Sequence, residues 1–268
     1  MDQNQDKDKP AAEKPDEHVF EVIETEQGRH GERHKGVYLL PNLITTGALF
    51  AGFYAIVAAM NGHFESAAIA IIVAGILDGL DGSVARMTNT QSKFGAEYDS
   101  LSDCVAFGVA PGLVAYSWAL TDLGKLGWAA AFIYVACAAL RLARFNVQSD
   151  VSDKRYFTGL PSPSGAGLVA TMVWLGVSRD VDGNDVAIIV ALLTAGAGVL
   201  MVSSVRYQSF KELRIGRVPV RVLLGVIVAF AIVVLDPPLV LLIVALAYTG
   251  SGVALDLLHR SRKRISRG

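Results

Sequence analysis

Charged residues are scarce in this chain. Asp, Glu, Lys and Arg together make up 18% of its 268 residues, whereas a soluble globular domain carries about 25%. Hydrophobic residues make up 52%, and the mean hydropathy is +0.42. This composition is too apolar for an ordinary soluble domain. The formal net charge is −1, which by itself indicates no electrostatic partner, and we expect no nucleic-acid partner.

Cysteine and histidine are also rare. The two cysteines, Cys104 and Cys137, both lie in apolar runs, and we interpret them as buried free thiols. The sequence has no Cys and His spacing typical of a zinc site. It also has no Ser-His-Asp or Cys-His set of the kind used in nucleophilic catalysis. The five histidines fall in predicted tails or loops, so we assign them no role.

The two ends of the chain are polar. Residues 1–36 contain many acids but no apolar stretch of the kind found in a signal peptide, and this composition predicts a disordered cytoplasmic tail. Residues 259–268, HRSRKRISRG, form a basic cytoplasmic tail that we expect to lie against anionic lipid of the inner leaflet. The membrane domain predicted between the tails covers residues 37–258.

Long apolar runs fill the segment between the tails. A helix needs about 20 apolar residues to cross a bilayer, and the fifth and seventh candidate spans are short. The candidates lie near residues 40–60, 64–86, 96–119, 125–146, 162–178, 185–204, 219–235 and 238–258. The predicted fold class is therefore all-α, a polytopic integral membrane protein with about eight transmembrane helices.

Positive charges are distributed unevenly over these eight spans. If both tails and every second loop share one side, that side holds 22 of the 24 lysines and arginines, and only Lys125 and Arg179 lie on the other. Cytoplasmic loops of membrane proteins carry the excess of Lys and Arg. The asymmetry predicts a multi-pass protein of the inner, cytoplasmic membrane with both termini in the cytoplasm, and it supports the count of eight.

Four aspartates interrupt the apolar pattern between the second and third spans. Asp78 and Asp81 are three residues apart, and so lie on one face of a helix. The same holds for Asp99 and Asp103, which are four apart. A hairpin of the two helices would bring the pairs together at the cytoplasmic end. Because adjacent carboxylates repel one another, the pattern predicts a site for hard divalent cations such as Mg²⁺ or Mn²⁺.

Small residues and one arginine lie among these acids. The small residues are Gly79, Gly82, Ala85 and Gly95. They permit close helix packing, but they alternate with acids on the same turns, so we favour room for a bulky ligand. Arg86 lies one turn beyond Gly82, where it can pair with an acid or with a ligand phosphate. Metal, cavity and arginine together indicate a bound pyrophosphate.

The acids and small residues follow one fixed pattern, Asp78-x-x-Asp81-Gly82-x-x-Ala85-Arg86-x₈-Gly95-x₃-Asp99-x₃-Asp103. This pattern resembles the signature of the CDP-alcohol phosphotransferases. These membrane enzymes have a six-helix catalytic core and move a phosphatidyl or similar group from a CDP-linked donor to an alcohol, releasing CMP.

Roles for individual residues follow from this resemblance. The implied metal ligands, for two ions, are Asp78, Asp81, Asp99 and Asp103. The implied nucleotide-binding residues are Gly79, Gly82, Ala85 and Arg86. The resemblance also implies that Asp103 is the catalytic base that takes the proton of the acceptor alcohol.

Three further stretches resemble bacterial and archaeal phosphatidylserine synthases. They are LPNLITTGALFAGF in the first span, SDCVAFGVAP after the last aspartate, and RLARFNV with YFTGLPSPSGAG around the loop between spans four and five. The resemblance implies transfer of a phosphatidyl group from CDP-diacylglycerol to the hydroxyl of L-serine, and it implies a homodimer in membrane lipid. The alternative is a sibling enzyme that uses glycerol 3-phosphate, an inositol phosphate or choline.

Polar residues near the end of span four are candidates for the acceptor site. Arg141 and Arg144 lie about one turn apart, and an arginine inside a membrane helix is costly unless it has a function. They either snorkel to lipid headgroups or bind the lipid phosphate or the serine carboxylate. The broken segment TGLPSPSG can line a cavity, so Asn146, Thr158 and Gly159 are further candidates.

Two other classes of function are weaker interpretations. Intramembrane acids often mark an ion pathway, which would make the chain a cation or proton transporter. The four acids, however, cluster at one membrane face, and no acid at mid-depth of the other spans continues a path. A structural membrane protein with basic loops on anionic lipid leaves the aspartate spacing unexplained.

Overall fold

The computed structural model describes residues 35–88, 90, 92–148, 156–208 and 220–265. The predicted N-terminal tail, residues 1–36, lies almost entirely outside this range, as do residues 266–268 of the predicted basic tail. The described part of the chain is almost entirely helical, which confirms the predicted fold class.

The long elements are helices joined by short connections. In chain order they are α1 (Lys35–Met60), α2 (Phe64–Thr88), α3 (Lys93–Asp103), α4 (Ala110–Ala115), α5 (Lys125–Gln148), α6 (Ser162–Ser178), α7 (Ala187–Val202), α8 (Val220–Leu235) and α9 (Pro237–Ile265). Two π-helical turns, Cys104–Val109 and Tyr116–Leu120, link α3 to α4 and extend α4, so that Lys93–Leu123 forms one continuous rod. Short 3₁₀ turns cover Thr121–Leu123 and Gly183–Val186.

Each of the eight segments predicted as spans contains a helix in the described part of the chain. Among the described residues, six helices are long and apolar enough to cross a membrane: Leu40–Met60, Phe64–Thr88, Lys93–Leu123, Lys125–Val147, Gly183–Val202 and Pro237–Asp256. The fifth predicted span corresponds to α6, with 17 residues, and the seventh to α8, of which 16 residues are described; the usual length is about 20. The chain is a multi-pass membrane protein, and the count of eight crossings stays a prediction.

An alanine-rich core joins α1, α2, α6 and the rod. Ala55, Ala67 and Ala74 are fully buried in it, together with Phe107. The helices approach so closely that a Cβ on Gly52 of α1 would lie 2.7 Å from the Cα of Ala106. Small residues suit this core because association in lipid depends on van der Waals contact rather than on water exclusion.

A second core joins α5, α6 and α7 with the last helix. Tyr134 of α5 is fully buried, and its hydroxyl donates a 2.9 Å hydrogen bond to the carbonyl of Phe107 in the first π-helical turn. Leu242 and Tyr248 of α9 pack against the same cluster. An ion pair between Arg179 and Asp236 ties the end of α6 to the start of α9. The last helix is thereby fixed to the rest of the bundle.

Two short antiparallel strands, β1 (Tyr156–Thr158) and β2 (Arg206–Gln208), connect the loops before α6 and after α7. Gly159 follows β1 with φ +88°, a left-handed conformation that favours glycine. Its N–H donates a 2.8 Å hydrogen bond to the carbonyl of Val205, and a Cβ there would overlap the carbonyl oxygen of Met201. Glycine at this position therefore allows the strands to dock on the bundle.

Candidate functional site

A tight connection between α2 and α3 places the aspartates at one end of the bundle. The N–H of Thr90 donates to the carbonyl of Ala85, which closes the last turn of α2. Ser92 caps the start of α3, because its hydroxyl accepts a 3.0 Å hydrogen bond from the N–H of Gly95. The sequence prediction of a helical hairpin is borne out in this geometry.

Three of the four aspartates meet in one cluster. Asp78, Asp99 and Asp103 each offer a carboxylate oxygen, and these oxygens all lie within 4.8 Å of one another. The side chains of Asp78 and Asp103 are hydrogen-bonded. Two ionised carboxylates this close repel each other, and a divalent cation bound between them would remove that repulsion.

This donor set fits a hard divalent cation. Mg²⁺ binds oxygen ligands at about 2.1 Å, so two ligands on opposite sides of one ion are about 4.2 Å apart. The three carboxylate oxygens lie within 4.8 Å of one another. Small movements of the side chains would bring them to the spacing that one ion requires. All three side chains are partly exposed, which leaves room for ligand oxygens or water. Carboxylates without Cys or His are typical of Mg²⁺ or Mn²⁺ rather than zinc.

The fourth aspartate, Asp81, lies beside the cluster and faces α1. Its side chain is only 5% exposed and accepts a 2.6 Å hydrogen bond from the hydroxyl of Thr45. The backbone carbonyl of Thr45 in turn accepts a 3.2 Å hydrogen bond from the hydroxyl of Ser102 on α3. One residue of α1 therefore fastens both helices of the hairpin. Asp81 remains close enough to interact electrostatically with Asp99 and Asp103.

A cavity of about 220 Å³ opens next to the carboxylates. Asp81 and Asp99 form the wall that it shares with the aspartate site. Its lining residues are Pro41, Asn42, Thr45, Asp81, Gly82, Ala85, Arg86, Thr90, Ser92, Gly95, Ala96 and Asp99. Of the residues predicted to bind a nucleotide, Gly82, Ala85 and Arg86 line this cavity. Gly79 is absent from the described lining, and its carbonyl accepts a 2.8 Å hydrogen bond from Ser83.

Two glycines, which have no side chain, keep the cavity open. A Cβ on Gly82 would lie 3.4 Å from Nη1 of Arg86, and a Cβ on Gly95 would lie 3.1 Å from the hydroxyl of Ser92. Arg86 itself is exposed and donates a weak 3.3 Å hydrogen bond to the hydroxyl of Ser83. Its guanidinium is therefore available to an anionic ligand that enters the cavity.

Two of the predicted acceptor residues lie against the aspartate helices. Arg141 interacts electrostatically with Asp103, and its Nη1 donates a 2.8 Å hydrogen bond to the hydroxyl of Ser162. Asn146 accepts a 2.9 Å hydrogen bond from the hydroxyl of Ser100, and its amide donates to Glu97 at 3.4 Å. The end of α5 is thus held beside α3.

The other three predicted acceptor residues differ in their exposure. Arg144 is exposed, and Thr158 is exposed on β1. Gly159 is buried, and its backbone supports the turn described above. The structure gives Gly159 a conformational role, whereas a contact of Arg144 or Thr158 with the acceptor stays a prediction.

A protein-family model covers the helices that carry the aspartates. The family model for CDP-alcohol phosphatidyltransferases matches residues 38–202, which include α2, α3 and every aspartate of the site. The chain belongs to the CDP-alcohol phosphatidyltransferase family. The family resemblance predicted from the aspartate pattern is therefore confirmed.

Three relatives of this phosphatidyltransferase carry two different enzyme names. A CDP-diacylglycerol–serine O-phosphatidyltransferase of Helicobacter pylori is 43% identical over 179 residues, which cover 66% of this chain and 75% of the relative. One of Mycobacterium tuberculosis is 36% identical over 229 residues, covering 81% and 78%. An archaetidylserine synthase of Methanothermobacter thermautotrophicus is 34% identical over 170 residues, covering 63% and 69%.

Several residues of the phosphatidyltransferase site had no role in the sequence prediction. Thr45, Asn42 and Thr90 contact or line the site, and Ser162 supports Arg141. Some of these residues lie in stretches that the sequence analysis had already singled out. LPNLITTG contains Asn42 and Thr45, and TGLPSPSG contains Ser162. The resemblance drew attention to these stretches without assigning a function to each hydroxyl.

Proposed function

We propose that this phosphatidyltransferase transfers a phosphatidyl group from CDP-diacylglycerol to the hydroxyl of L-serine, giving phosphatidylserine and CMP. The observation that carries the proposal is the carboxylate cluster of α2 and α3, which opens directly onto a cavity within the family-matched helices. The names of relatives at 34–43% identity support serine as the acceptor.

The carboxylates are the proposed ligands of two divalent ions, Mg²⁺ or Mn²⁺. Asp78, Asp99 and Asp103 would hold them, with Asp81 as the fourth carboxylate at the edge of the site. Members of this family generally depend on a divalent metal. When bound, the ions neutralise the charge of the diphosphate and of the departing CMP. The hydrogen bond from Thr45 holds Asp81 against the cavity wall.

The cavity beside the carboxylates is the proposed place of the CDP group. Gly82 and Ala85 leave the space that the nucleotide needs, and the guanidinium of Arg86 reaches the same space and can pair with a phosphate. The apolar helices around the site expose large side chains, including Phe50 and Phe53 on α1. Such a surface suits the acyl chains of a lipid donor that stays in the bilayer.

Asp103 is the proposed general base. Its carboxylate would accept the hydroxyl proton of serine while the serine oxygen forms a bond to the β-phosphorus and the bond from phosphorus to CMP breaks. Arg141 lies near Asp103 and is proposed to bind the serine carboxylate or the lipid phosphate. The displacement is direct, and no residue becomes covalently attached to the substrate.

The orientation and assembly of the protein belong to the same proposal. The excess of Lys and Arg in one set of loops supports a cytoplasmic location of the carboxylate cluster and of both termini at the inner membrane, where serine is available. The family resemblance further leads us to propose a homodimer.

A CMP-release assay tests the function. Membranes containing the protein are incubated with CDP-diacylglycerol and Mn²⁺, with L-serine, glycerol 3-phosphate, an inositol phosphate, choline or no alcohol. We expect release of CMP and formation of phosphatidylserine only with L-serine. Equal release with another alcohol would assign the chain to a sibling activity, and no metal-dependent release with any alcohol would refute phosphatidyl transfer.

A further inference from the structure

The short helix α3 carries two of the three carboxylates that meet in the aspartate cluster. It has 11 residues, Lys93–Asp103, and passes directly into the π-helical turn Cys104–Val109. A π-helical turn accommodates an extra residue and so interrupts the regular α-helical register. The rotation of α3 about its own axis therefore depends on contacts with neighbouring helices as well as on the rod that follows it.

One such contact joins α3 to the end of α5. The hydroxyl of Ser100 donates a 2.9 Å hydrogen bond to Oδ1 of Asn146, and Nδ2 of Asn146 donates to Oε2 of Glu97 at 3.4 Å. Ser100 and Glu97 are three residues apart and so lie on one side of α3. The helix α5 is itself held along the rod, since Tyr134 donates to the carbonyl of Phe107. Asn146 therefore contacts α3 from a helix that is fixed in place.

A second contact joins the other flank of α3 to α1. Ser102 is only 2% exposed, and its hydroxyl donates a 3.2 Å hydrogen bond to the carbonyl of Thr45. A hydroxyl inside a helix often donates to the carbonyl four residues earlier in the same helix, as those of Ser83 and Thr88 do in α2. The hydroxyls of Ser100 and Ser102 instead donate to other helices, so they tie α3 to its neighbours.

The two serines flank the aspartates on the surface of α3. At about 100° per residue, Ser100 lies about 60° from Asp103, and Ser102 lies about 60° from Asp99 on the other side. The two aspartates, about 40° apart, lie between the serines. The hydrogen bonds of the serines therefore hold α3 from both flanks and leave its acidic face directed at Asp78 of α2.

We propose that Ser100, Ser102 and Asn146 are positioning residues that fix the rotation of α3 and thereby set the spacing of the metal-binding carboxylates. Side-chain tips lie about 5–6 Å from a helix axis, so a rotation of about 10° moves them by about 1 Å. Because Mg²⁺ requires ligand distances of about 2.1 Å in near-ideal geometry, a shift of this size weakens binding. Asn146, a predicted acceptor residue, then acts through α3 rather than on serine. The inference rests on the proposed function, because it assumes that the carboxylate cluster holds divalent ions.

Equilibrium binding of Mn²⁺ to the purified full-length protein in detergent tests this role without any substrate. Ser100→Ala removes the donor to Asn146, Asn146→Leu removes the acceptor, and Ser102→Ala breaks the contact with α1. Each substitution should raise the Kd for Mn²⁺, measured from the free Mn²⁺ signal in electron paramagnetic resonance, by about 2- to 10-fold. The KM for serine at saturating Mn²⁺ should stay within twofold of the original. An unchanged Kd would overturn the proposal, and an unchanged Kd with a raised KM for serine in Asn146→Leu would assign Asn146 to the acceptor site instead.

Two control variants separate positioning from a general loss of stability. Ser178→Ala removes a serine hydroxyl at the far end of α6, where it donates to the carbonyl of Leu175 at 2.9 Å, and it should leave the Kd for Mn²⁺ unchanged. Tyr207→Phe removes a buried 3.2 Å hydrogen bond to the carbonyl of Thr249, and it should lower Tm without changing this Kd. If Tyr207→Phe raised the Kd as much as Ser100→Ala does, the effect would come from lost stability, and the proposal would be wrong.

A double-mutant cycle tests whether Ser100 and Asn146 act through one contact. Because both substitutions remove the same hydrogen bond, Ser100→Ala combined with Asn146→Leu should raise the Kd for Mn²⁺ by less than twofold beyond the larger single effect. Fully multiplicative effects would refute the coupling. Serine-dependent CMP release by the unsubstituted protein is measured in parallel. Mn²⁺ binding without such release would refute the proposed function alone, whereas absence of Mn²⁺ binding would refute both proposals.

Discussion

The hydrogen bond between Thr45 and Asp81 should contribute measurably to both stability and activity. It is 2.6 Å long, and both side chains are at most 5% exposed. A hydrogen bond to a charged group contributes about 1.5–3 kcal/mol. Thr45→Val preserves the shape of the side chain and removes only the donor, so it leaves Asp81 buried without this partner.

The expected change can be followed by thermal unfolding in detergent. In a protein of this size, 1 kcal/mol shifts Tm by about 2–4 °C, so Thr45→Val should lower Tm by roughly 3–12 °C. Because Asp81 borders the cavity and the carboxylate cluster, its displacement should also lower kcat/KM for CDP-diacylglycerol by about tenfold, which corresponds to about 1.4 kcal/mol.

The adjacent threonine supplies a matched control. Thr46 is exposed, and its hydroxyl bonds to the carbonyl of Asn42 at 2.7 Å and to the hydroxyl of Tyr98 at 2.9 Å. Thr46→Val should therefore change stability by only about 0.5 kcal/mol. A Thr45→Val protein with the Tm and the kinetics of the original would show that the bond carries neither stability nor catalytic positioning.

Three further predictions concern the base, the ions and the loop. Asp103→Asn should lower kcat by about 10²–10⁴-fold while CDP-diacylglycerol still binds. The control Asp122→Asn, at the opposite end of the rod, should leave kcat unchanged. A wild-type kcat for Asp103→Asn would exclude the role of Asp103 as base. Removal of divalent ions with EDTA should abolish CMP release, and excess Mn²⁺ or Mg²⁺ should restore it; release that persists in EDTA would contradict a metal site. Gly159→Ala should destabilise the protein by about 1–3 kcal/mol through backbone strain, which would appear as a lower Tm. The control is Gly167→Ala, whose added Cβ meets open space. Equal Tm values for the two variants would refute the predicted strain.

Local helix geometry explains which features of the site the sequence could predict. At about 100° per residue, Asp99 and Asp103 differ by about 40° around α3, so both side chains face the partner helix. Asp78 and Asp81 differ by about 60° around α2. This larger angle turns Asp81 toward α1, where Thr45 binds it, while Asp78 joins the cluster. Spacing predicts that the acids share a face, but only packing with α1 separates Asp81 from the other three.

The turn after Asp103 was not predictable from periodicity. Residues Cys104–Val109 form a π-helical turn, in which an extra residue is accommodated within a helix. Tyr134, on a different helix, donates to the carbonyl of Phe107 within this turn. The sequence SDCVAFGVAP reads as an ordinary apolar helix, because the stabilising partner is remote in the chain. A π-helical turn at this place alters the register of every rod residue that follows the proposed base.

The number of membrane crossings is a second feature that the sequence pattern alone does not predict. Charge asymmetry and hydropathy located all eight helical segments, but α6 has only 17 residues and the described part of α8 has 16, below the usual length of about 20. Length alone would exclude both, yet α6 is largely buried between its neighbours, whereas α8 exposes Phe230 and Leu235. A short helix enclosed by protein can satisfy its ends with neighbouring groups, while an exposed one meets lipid directly. The number of crossings therefore depends on what surrounds each helix, which the sequence pattern does not contain.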